Sequence, residues 1–362
     1  MQHEAVQKFT LSLKTIKTDG TRQWAENWTP GSVLKQVFSL RSDSVLGESL
    51  PILIILMAYI IAVYALSSIY GFQDRIVLKY YYAYFFKLSA LFSALFIGFN
   101  IPKERYRLYL TPRYVGGFFV IVIAAPLFKT AFSSFKQVFP YIHNFSFDRD
   151  LMRLDYLIHF GQHPWKLLEF LLSHPFMVVI LDRLYMLWFL ILFLACFLMA
   201  WTKKRRLRLC FFVSTLLVWI VLGSGMGTAF SSAGPCYYSS ATGDHDDPFS
   251  PLMARLDEIH KDTFLYAVNN QRGLWEAKVL DYWLPFGGIS AMPSIHLAMA
   301  TIFVLLAFNY HKWLGIASVL YLCIIQVGSV ILAWHYAIDG YAGIILTFVI
   351  WFGVKRVLYR HT

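Results

Sequence analysis

Two histidines and one aspartate near the C-terminus have the residue types and spacing that nucleophilic and acid–base catalysis require. His335 and Asp339 are four residues apart in the stretch HYAIDGYAG. On a helix this spacing places both side chains on one face, where the carboxylate can hold the imidazole by a hydrogen bond. His296 follows Pro293 and Ser294 in the stretch AMPSIH. One interpretation is a histidine nucleophile, its carboxylate partner and a second histidine acting as general acid.

Both polar clusters stand where long apolar segments begin. His296 opens the segment at about 291–308, and His335 and Asp339 open the last one, at 336–351. Ionisable groups at membrane depth are costly, so their presence there indicates function. Other interpretations stay open: His296 alone reads as an interfacial histidine, the His335–Asp339 pair as a structural hydrogen bond, and all three together as metal ligands.

The composition is that of a polytopic membrane protein. Of 362 residues 58% are hydrophobic and 18% aromatic, and the mean hydropathy is +0.54. The net charge of +11 comes largely from residues beside apolar segments, which favours membrane topology and anionic lipid as its cause over nucleic acid. The four cysteines have no metal-site spacing and indicate neither a disulfide framework nor a zinc site.

We predict an all-α integral membrane protein of about eight transmembrane helices. The expected parts are a cytoplasmic or interfacial N-terminal segment (1–49), accessory transmembrane helices (50–133) and a catalytic membrane domain (134–362) with outer loops 134–176 and 227–290. The mixed polar and aromatic loop 134–176 predicts one or two interfacial helices. The predicted spans are residues 50–69, 80–101, 114–132, 177–201, 209–226, 291–308, 313–334 and 336–351.

The basic loops predict the orientation. Residues 103–113, 203–208, Lys312 and the tail 355–360 carry the clustered Lys and Arg and should be cytoplasmic. Counting spans from them places both histidine clusters on the outer face. We therefore expect a multi-pass plasma (inner) membrane protein whose active site lies on the non-cytoplasmic side.

The two motifs resemble those of a known superfamily. PSIH, which ends at His296, is similar to the PSGH motif of the type-2 phosphatidic acid phosphatase superfamily, and HYAID, residues 335–339, to its HxxxD motif. The flanking residues resemble more closely the branch of inositol phosphorylceramide synthases and their bacterial relatives. The clear resemblance covers the last quarter of the chain, and a softer one runs from Lys136 to the stretch HFGQHPW (159–165). It implies a C-terminal helical bundle of the phosphatidic-acid-phosphatase type.

The resemblance also implies roles. His335 would attack phosphorus, Asp339 would hold its imidazole, and His296 would protonate the departing oxygen and later deprotonate the incoming one. Pro293 and Ser294 would start a helix whose first amides and hydroxyl hold phosphate oxygens. Neither a metal ion nor another cofactor is expected.

The chain departs from the phosphatases' basic motifs. Their first motif aligns with the frame from Gly227 to Pro235, which lacks both cations, and Gly328 and Ser329 stand where they carry Ser-Arg. Candidate replacement cations are Lys136, Arg149, Arg183, Arg255 and Arg272. Residues predicted to line the mouth of the site are Ser231, Ser232, Pro235 and Tyr237. Residues 244–247 predict a solvated acidic turn, with a weak calcium site as the alternative.

The absence of the cations found in the phosphatases' basic motifs disfavours binding of a doubly charged phosphate monoester. The expected function is therefore transfer of a phosphorylated headgroup from a phospholipid donor to a lipid alcohol acceptor of the ceramide or diacylglycerol type, through a phosphohistidine. A lipid phosphate or polyprenyl diphosphate phosphatase is the alternative. A membrane transporter with a proton relay is a third interpretation.

Overall fold

The structure is a computed structural model that describes residues 45–72, 119–284 and 287–359, with isolated positions between 83 and 117. This part of the chain is helical and contains no β-strand. The predictions for residues 1–44, for most of 80–101 and for the basic loop 103–113 lie outside the described residues.

The described helices differ widely in length, from single turns in the loops to a helix of 27 residues. In chain order they are α1 (Val45–Ile69), α2 (Ala125–Lys136, preceded by a π-helical stretch at Val120–Ala124), α3 (Phe139–Ile142), α4 (Asp148–Ile158), α5 (Pro164–Leu167), α6 (Glu169–Leu172), α7 (Pro175–Trp201), α8 (Arg205–Leu217, continued by a π-helical stretch at Val218–Met226 and a last turn at Gly227–Ala229), α9 (Tyr238–Thr242), α10 (Ser250–Asp262), α11 (Tyr266–Val279), α12 (Ile295–Phe308), α13 (Lys312–Ile331) and α14 (Ala337–Tyr359).

Five of the described helices are long and apolar enough to cross a membrane. They are Leu50–Ile69, Pro175–Trp201, Arg205–Ala229, Lys312–Ile331 and Ala337–Tyr359. The predicted number of eight is not confirmed. Helix α12, the expected sixth span, has only 14 residues, which is about 21 Å and short of a bilayer core of about 30 Å.

Helix α12 is the centre of the bundle. It packs against α13, α14 and α8, and nearly every side chain from Leu297 to Ala307 is buried. A helix that is apolar on all sides is stable only where neighbours cover all of it. The position of the short helix α12 is therefore determined by its packing against the longer helices around it.

The basic segments next to the membrane helices meet at one end of this bundle, which we call the basic end. The Lys204 ammonium donates to the Asn309 carbonyl at 2.9 Å, and the Arg206 guanidinium lies 5.4 Å from the centre of the Tyr359 ring. Helices α12 and α14 both finish there. Their first residues, beside His296 and Asp339, therefore lie at the opposite end.

A further layer of helices covers that opposite end of the bundle. In α10 the buried residues Leu252, Leu256 and Ile259 are spaced by four and three, so one face of the helix is apolar. The loop predicted to hold interfacial helices, 134–176, contains α4 and the single-turn helices α3, α5 and α6. Two acidic residues of α4, Asp148 and Asp155, are buried rather than solvated.

Candidate active site

The HYAID stretch places a histidine against a carboxylate at the start of α14. His335 lies in the turn before the helix and Asp339 in its first turn. The Nδ1 atom of His335 is 2.9 Å from the Ala291 carbonyl oxygen and 3.4 Å from Oδ2 of Asp339. That Oδ2 also accepts a hydrogen bond from the Tyr336 amide at 3.0 Å. The predicted pair is in contact, although a turn rather than one helix face brings it together.

These contacts decide which nitrogen of His335 carries the proton. Both neighbours of Nδ1, the Ala291 carbonyl and the Asp339 carboxylate, are acceptors, so Nδ1 holds the hydrogen. The lone pair is then on Nε2, which has no hydrogen-bond partner among the described residues. The His335 side chain keeps 8% exposure. His335 thus has the tautomer that a nucleophile needs.

His296 faces His335 from the first turn of α12. The two ring centres are 6.0 Å apart. Aromatic rings of α7 enclose His296, with ring-centre distances of 4.4 Å to Trp188 and 4.7 Å to Tyr185, and the Trp188 indole donates to the His296 carbonyl at 3.0 Å. Its Nε2 atom is buried and has no partner in the described structure. That nitrogen is free to exchange a proton with a bound molecule.

Backbone contacts join the two motifs directly. The Ser294 amide donates to the Asp339 carbonyl at 3.0 Å. A Cβ atom on Gly343, one turn further along α14, would lie only 2.6 Å from the Ser294 carbonyl oxygen. Glycine therefore permits α14 to approach the start of α12, and the spacing of the two histidines depends on this approach.

The start of α12 has the features of an anion site. The helix begins at Ile295 with Ser294 as N-cap, so buried Pro293 precedes the helix instead of opening it. The Ser294 hydroxyl is buried without a hydrogen-bond partner among the described residues. The free amides of a helix's first turn, with such a hydroxyl, are suited to phosphate oxygens.

The segment aligned with the phosphatases' first basic motif joins the two motif loops. The Ser232 carbonyl accepts from the Ala291 amide at 2.9 Å, and its hydroxyl accepts from the Met292 amide at 3.1 Å. The Cys236 amide donates to the Ala333 carbonyl at 3.0 Å. Gly234 has φ of 96° and packs on the Trp334 carbonyl, where a side chain would collide. The segment therefore links the loops that precede His296 and His335, mainly through backbone hydrogen bonds.

The other residues predicted to line the mouth have structural contacts. The Ser231 carbonyl accepts from the amides of Ser146 and Phe147, and buried Pro235 opens a 3-10 turn. The Tyr237 hydroxyl donates to the Gln271 carbonyl at 2.8 Å, and its ring stacks on Trp275. Contact of these residues with a substrate stays a prediction.

The four candidate arginines are each paired with a carboxylate. The pairs are Arg149 with Asp244 at 2.6 Å, Arg183 with Asp182 at 2.6 Å, Arg255 with Glu258 at 2.5 Å and Arg272 with Asp257 at 2.8 Å. Asp244 is therefore one half of an ion pair, and the hydrogen bond from Arg149 lowers its pKa to about 2. A phosphate-binding role for the candidate arginines stays a prediction.

Two lysines of α2 differ from these arginines. Lys136 and Lys129 have no carboxylate partner within the described structure, and both act electrostatically on His296. Lys136 packs against Gly288 in the loop before α12, and the Lys129 ammonium is 3.8 Å from the Trp219 ring centre. The two are seven residues apart, hence on one helix face. Lys136 was predicted from the sequence; Lys129 was missed, although this spacing could have indicated it.

A cavity of about 290 Å³ opens beside the same loop. Its lining includes Gly288, Lys278 and Trp283 but neither histidine. Among the described residues, no three His, Cys, Asp or Glu side chains are grouped so as to hold a metal ion. The chemistry-bearing groups are thus the His–His–Asp set, the start of α12 and the α2 lysines.

The fold and these groups define a helical membrane protein with a buried His–His–Asp site. The sequence model of the PAP2 superfamily matches residues 149–352, which is more than half of the chain and includes all three of these residues. The chain therefore belongs to the PAP2 superfamily and is a phosphatase or phosphotransferase of the type-2 phosphatidic acid phosphatase kind. Neither the curated proteins nor the solved structures gave a significant match.

Proposed function

We propose that this enzyme transfers a phosphorylated headgroup from a phospholipid to a lipid alcohol of the ceramide or diacylglycerol type. The facing histidines, 6.0 Å between ring centres, beside a helix start with a buried free hydroxyl support phosphoryl chemistry in general. The observation that supports transfer to an alcohol most is the enclosure of His296 by the rings of Tyr185 and Trp188. Family membership favours an enzyme over the transporter interpretation. The inositol phosphorylceramide synthase-like branch is part of the same proposal.

The reaction takes two displacements at phosphorus. Nε2 of His335 attacks the phosphodiester, a P–N bond forms, and the P–O bond to the donor lipid breaks. Protonated His296 gives its proton to the departing oxygen. In the second step neutral His296 takes the proton of the acceptor hydroxyl, whose oxygen attacks phosphorus as the P–N bond breaks.

Neighbouring groups support each step. The Ala291 carbonyl and the Asp339 carboxylate hold the Nδ1 proton of His335, and the carboxylate offsets the positive charge that its ring gains. The first amides of α12 and the Ser294 hydroxyl face the phosphate oxygens. The aromatic rings around His296 exclude water, which favours an alcohol over hydrolysis of the phosphohistidine.

A lipid phosphate or polyprenyl diphosphate phosphatase is the second candidate. The observation that favours it is the pair Lys129 and Lys136, because two cations without carboxylate partners suit a doubly charged phosphate group better than a singly charged diester. The geometry of the histidines serves both reactions. The two reactions differ in the acceptor, which is a lipid alcohol or water, and in the charge of the preferred phosphate donor.

The proposed location is the plasma (inner) membrane, with the site on the non-cytoplasmic face. Support comes from the positive-inside rule, since Lys204, Arg206 and Lys312 belong to the basic end and the histidines to the other. A single cysteine introduced at Asp247, in a background without the native cysteines, should react with a membrane-impermeant reagent in intact cells. Protection of that cysteine would contradict the orientation.

Product analysis tests the proposed function. Purified enzyme receives either a headgroup-labelled phospholipid or labelled phosphatidate, each with ceramide, with diacylglycerol or with no lipid alcohol. We expect the label of the diester to appear on the acceptor lipid. Faster turnover of phosphatidate, with release of free phosphate whatever alcohol is present, would make the enzyme a phosphatase. The variant His335→Ala is the inactive control for both arms.

A further inference from the structure

Two buried carboxylates of helix α4 hold the HYAID stretch. Asp148 is fully buried and Asp155 is 3% exposed. They are seven residues apart, so they share one face of the helix. The mixed polar and aromatic composition of 134–176 predicts an interfacial helix here. In the structure that face is turned onto the catalytic motif.

Asp155 caps the helix that carries Asp339. Its Oδ2 accepts from the Ala337 amide and its Oδ1 from the Ile338 amide, both at 3.0 Å. The first amides of a helix lack intrahelical partners, and a negative charge there is favourable. The cap comes from a residue 182 positions away in sequence, whereas an ordinary N-cap adjoins its helix. Asp155 therefore fixes where α14 begins.

Asp148 holds the residue that follows the nucleophile. Its carboxylate accepts from the Tyr336 hydroxyl at 2.9 Å and from the amides of Ala233 and Gly234 at 2.8 and 2.9 Å. Tyr336 is 1% exposed. The same carboxylate thus ties the 231–237 segment to the HYAID stretch. Between them, the two aspartates bind residues 336, 337 and 338, next to His335 on one side and Asp339 on the other.

We propose that Asp155 and Asp148 are positioning residues for the phosphohistidine chemistry, holding His335 and Asp339 at their working separation. The proposal rests on the proposed function in so far as His335 is taken as the nucleophile. A carboxylate is needed at Asp155 because both oxygens must accept. Asparagine offers one acceptor oxygen and would point its NH₂ group at the other amide.

Asp155 also carries charge close to the site. It is near enough to Asp339 for the two carboxylates to interact electrostatically. The groups facing Asp155 are His159, whose Nδ1 is 3.6 Å from Oδ1, and through His159 the Tyr341 hydroxyl, 3.0 Å from Nε2. Asp155→Asn therefore removes a negative charge from beside the Asp339 carboxylate as well as the cap of α14.

The chain contains a matched control in Asp182. This residue is 1% exposed, and its carboxylate accepts from the amides of Tyr266 and Ala267 at 2.9 and 2.8 Å, which caps α11. Like Asp155 it accepts from the first two amides of a helix with its two oxygens, and unlike Asp155 it also pairs with Arg183 at 2.6 Å. The helix that it caps carries no catalytic residue. Asp182→Asn measures the cost of uncapping a helix in this protein without touching the HYAID stretch.

The test compares full-length wild type, Asp155→Asn, Asp148→Asn and Asp182→Asn in detergent micelles. Hydrogen exchange by mass spectrometry should accelerate in 335–341 for Asp155→Asn and in 265–269 for Asp182→Asn, while α12 and α13 stay protected. With phosphatidylinositol or phosphatidate, whichever the wild type turns over, kcat of Asp155→Asn should fall on the order of 100-fold at unchanged KM. Asp182→Asn should keep nearly the wild-type kcat.

Two outcomes would overturn the proposal. One is wild-type kcat in Asp155→Asn despite faster exchange in 335–341. The other is an equal loss of kcat in Asp155→Asn and Asp182→Asn, which would mark both as merely structural. If the wild type turns over neither lipid, the proposed function fails, whereas the exchange data still show whether Asp155 holds the start of α14.

Discussion

The contact between Gly343 and Ser294 gives the most quantitative prediction. In Gly343→Ala the new Cβ would lie 2.6 Å from the Ser294 carbonyl oxygen, and ordinary contact begins at 3.4 Å. Helices α14 and α12 must therefore separate by roughly 0.8 Å at this point. The obstacle is backbone, so no side chain can rotate away. Overpacking of this kind costs about 1–3 kcal/mol of stability.

The same displacement acts on the site. Ser294 donates to the Asp339 carbonyl and precedes His296 by two residues, so the separation of the helices moves the general acid away from the nucleophile. A misplacement of about 1 Å can cost on the order of 100-fold in rate. We expect kcat of Gly343→Ala to fall by about 10- to 100-fold.

Gly353→Ala is the matched control, because it lies on the same helix and its new Cβ would meet nothing within 4 Å. Both changes gain the helix propensity of alanine, about 0.5–1 kcal/mol. Gly353→Ala should therefore raise the melting temperature and keep kcat, while Gly343→Ala lowers both. Thermal unfolding by intrinsic fluorescence and steady-state kinetics measure this. Equal changes of melting temperature and kcat in the two variants would contradict the inference that the close approach of Gly343 to Ser294 determines the spacing of the two histidines.

Three further predictions concern the general acid, one lysine of α2 and one surface ion pair. His296→Ala should slow formation of the phosphohistidine by about 10²- to 10⁴-fold with a lipid alkoxide leaving group, and much less with an activated phenolate, in single-turnover kinetics. Lys136→Gln should lower kcat about 100-fold, whereas Lys278→Gln, at the cavity beyond Gly288, should leave it near wild type. The folded pKa of Asp244, about 2, is below its ordinary 3.8, so the Arg149 pair stabilises the protein above pH 3.8 and loses this contribution as pH falls to 2. Asp244→Asn should therefore lower the melting temperature at neutral pH and have no effect near pH 2.

The sequence was informative where chemistry depends on short spacing. His335 and Asp339 are four residues apart, and PSIH marks the start of an apolar run, so both clusters and their shared end of the bundle could be predicted. Their contact through the Ala291 carbonyl and the Ser294 amide could not, because backbone atoms carry no sequence signal. The apolar helices α7, α8, α12, α13 and α14 were likewise readable in order from hydropathy, whereas α9, α10 and α11 lie in the polar stretch 227–290, for which no helix was predicted.

Other features depend on tertiary contacts over long sequence distances. Asp148 and Asp155 stand in a polar helix, and only the folded chain shows that their oxygens meet amides more than 80 residues away. The length of α12 was overestimated, because the apolar composition continues into the loop before Ile295. The ion pairs of the candidate arginines were likewise located only in the folded chain.

Detection of the covalent intermediate tests the central claim most directly. Wild type and His335→Ala are mixed with a phospholipid labelled with ³²P in its headgroup phosphate, without a lipid alcohol, and quenched with alkali before peptide mapping. The account predicts label on His335, stable to alkali and labile to acid, which disappears when ceramide or diacylglycerol is added. Turnover without any label on His335, or label retained in His335→Ala, would contradict it.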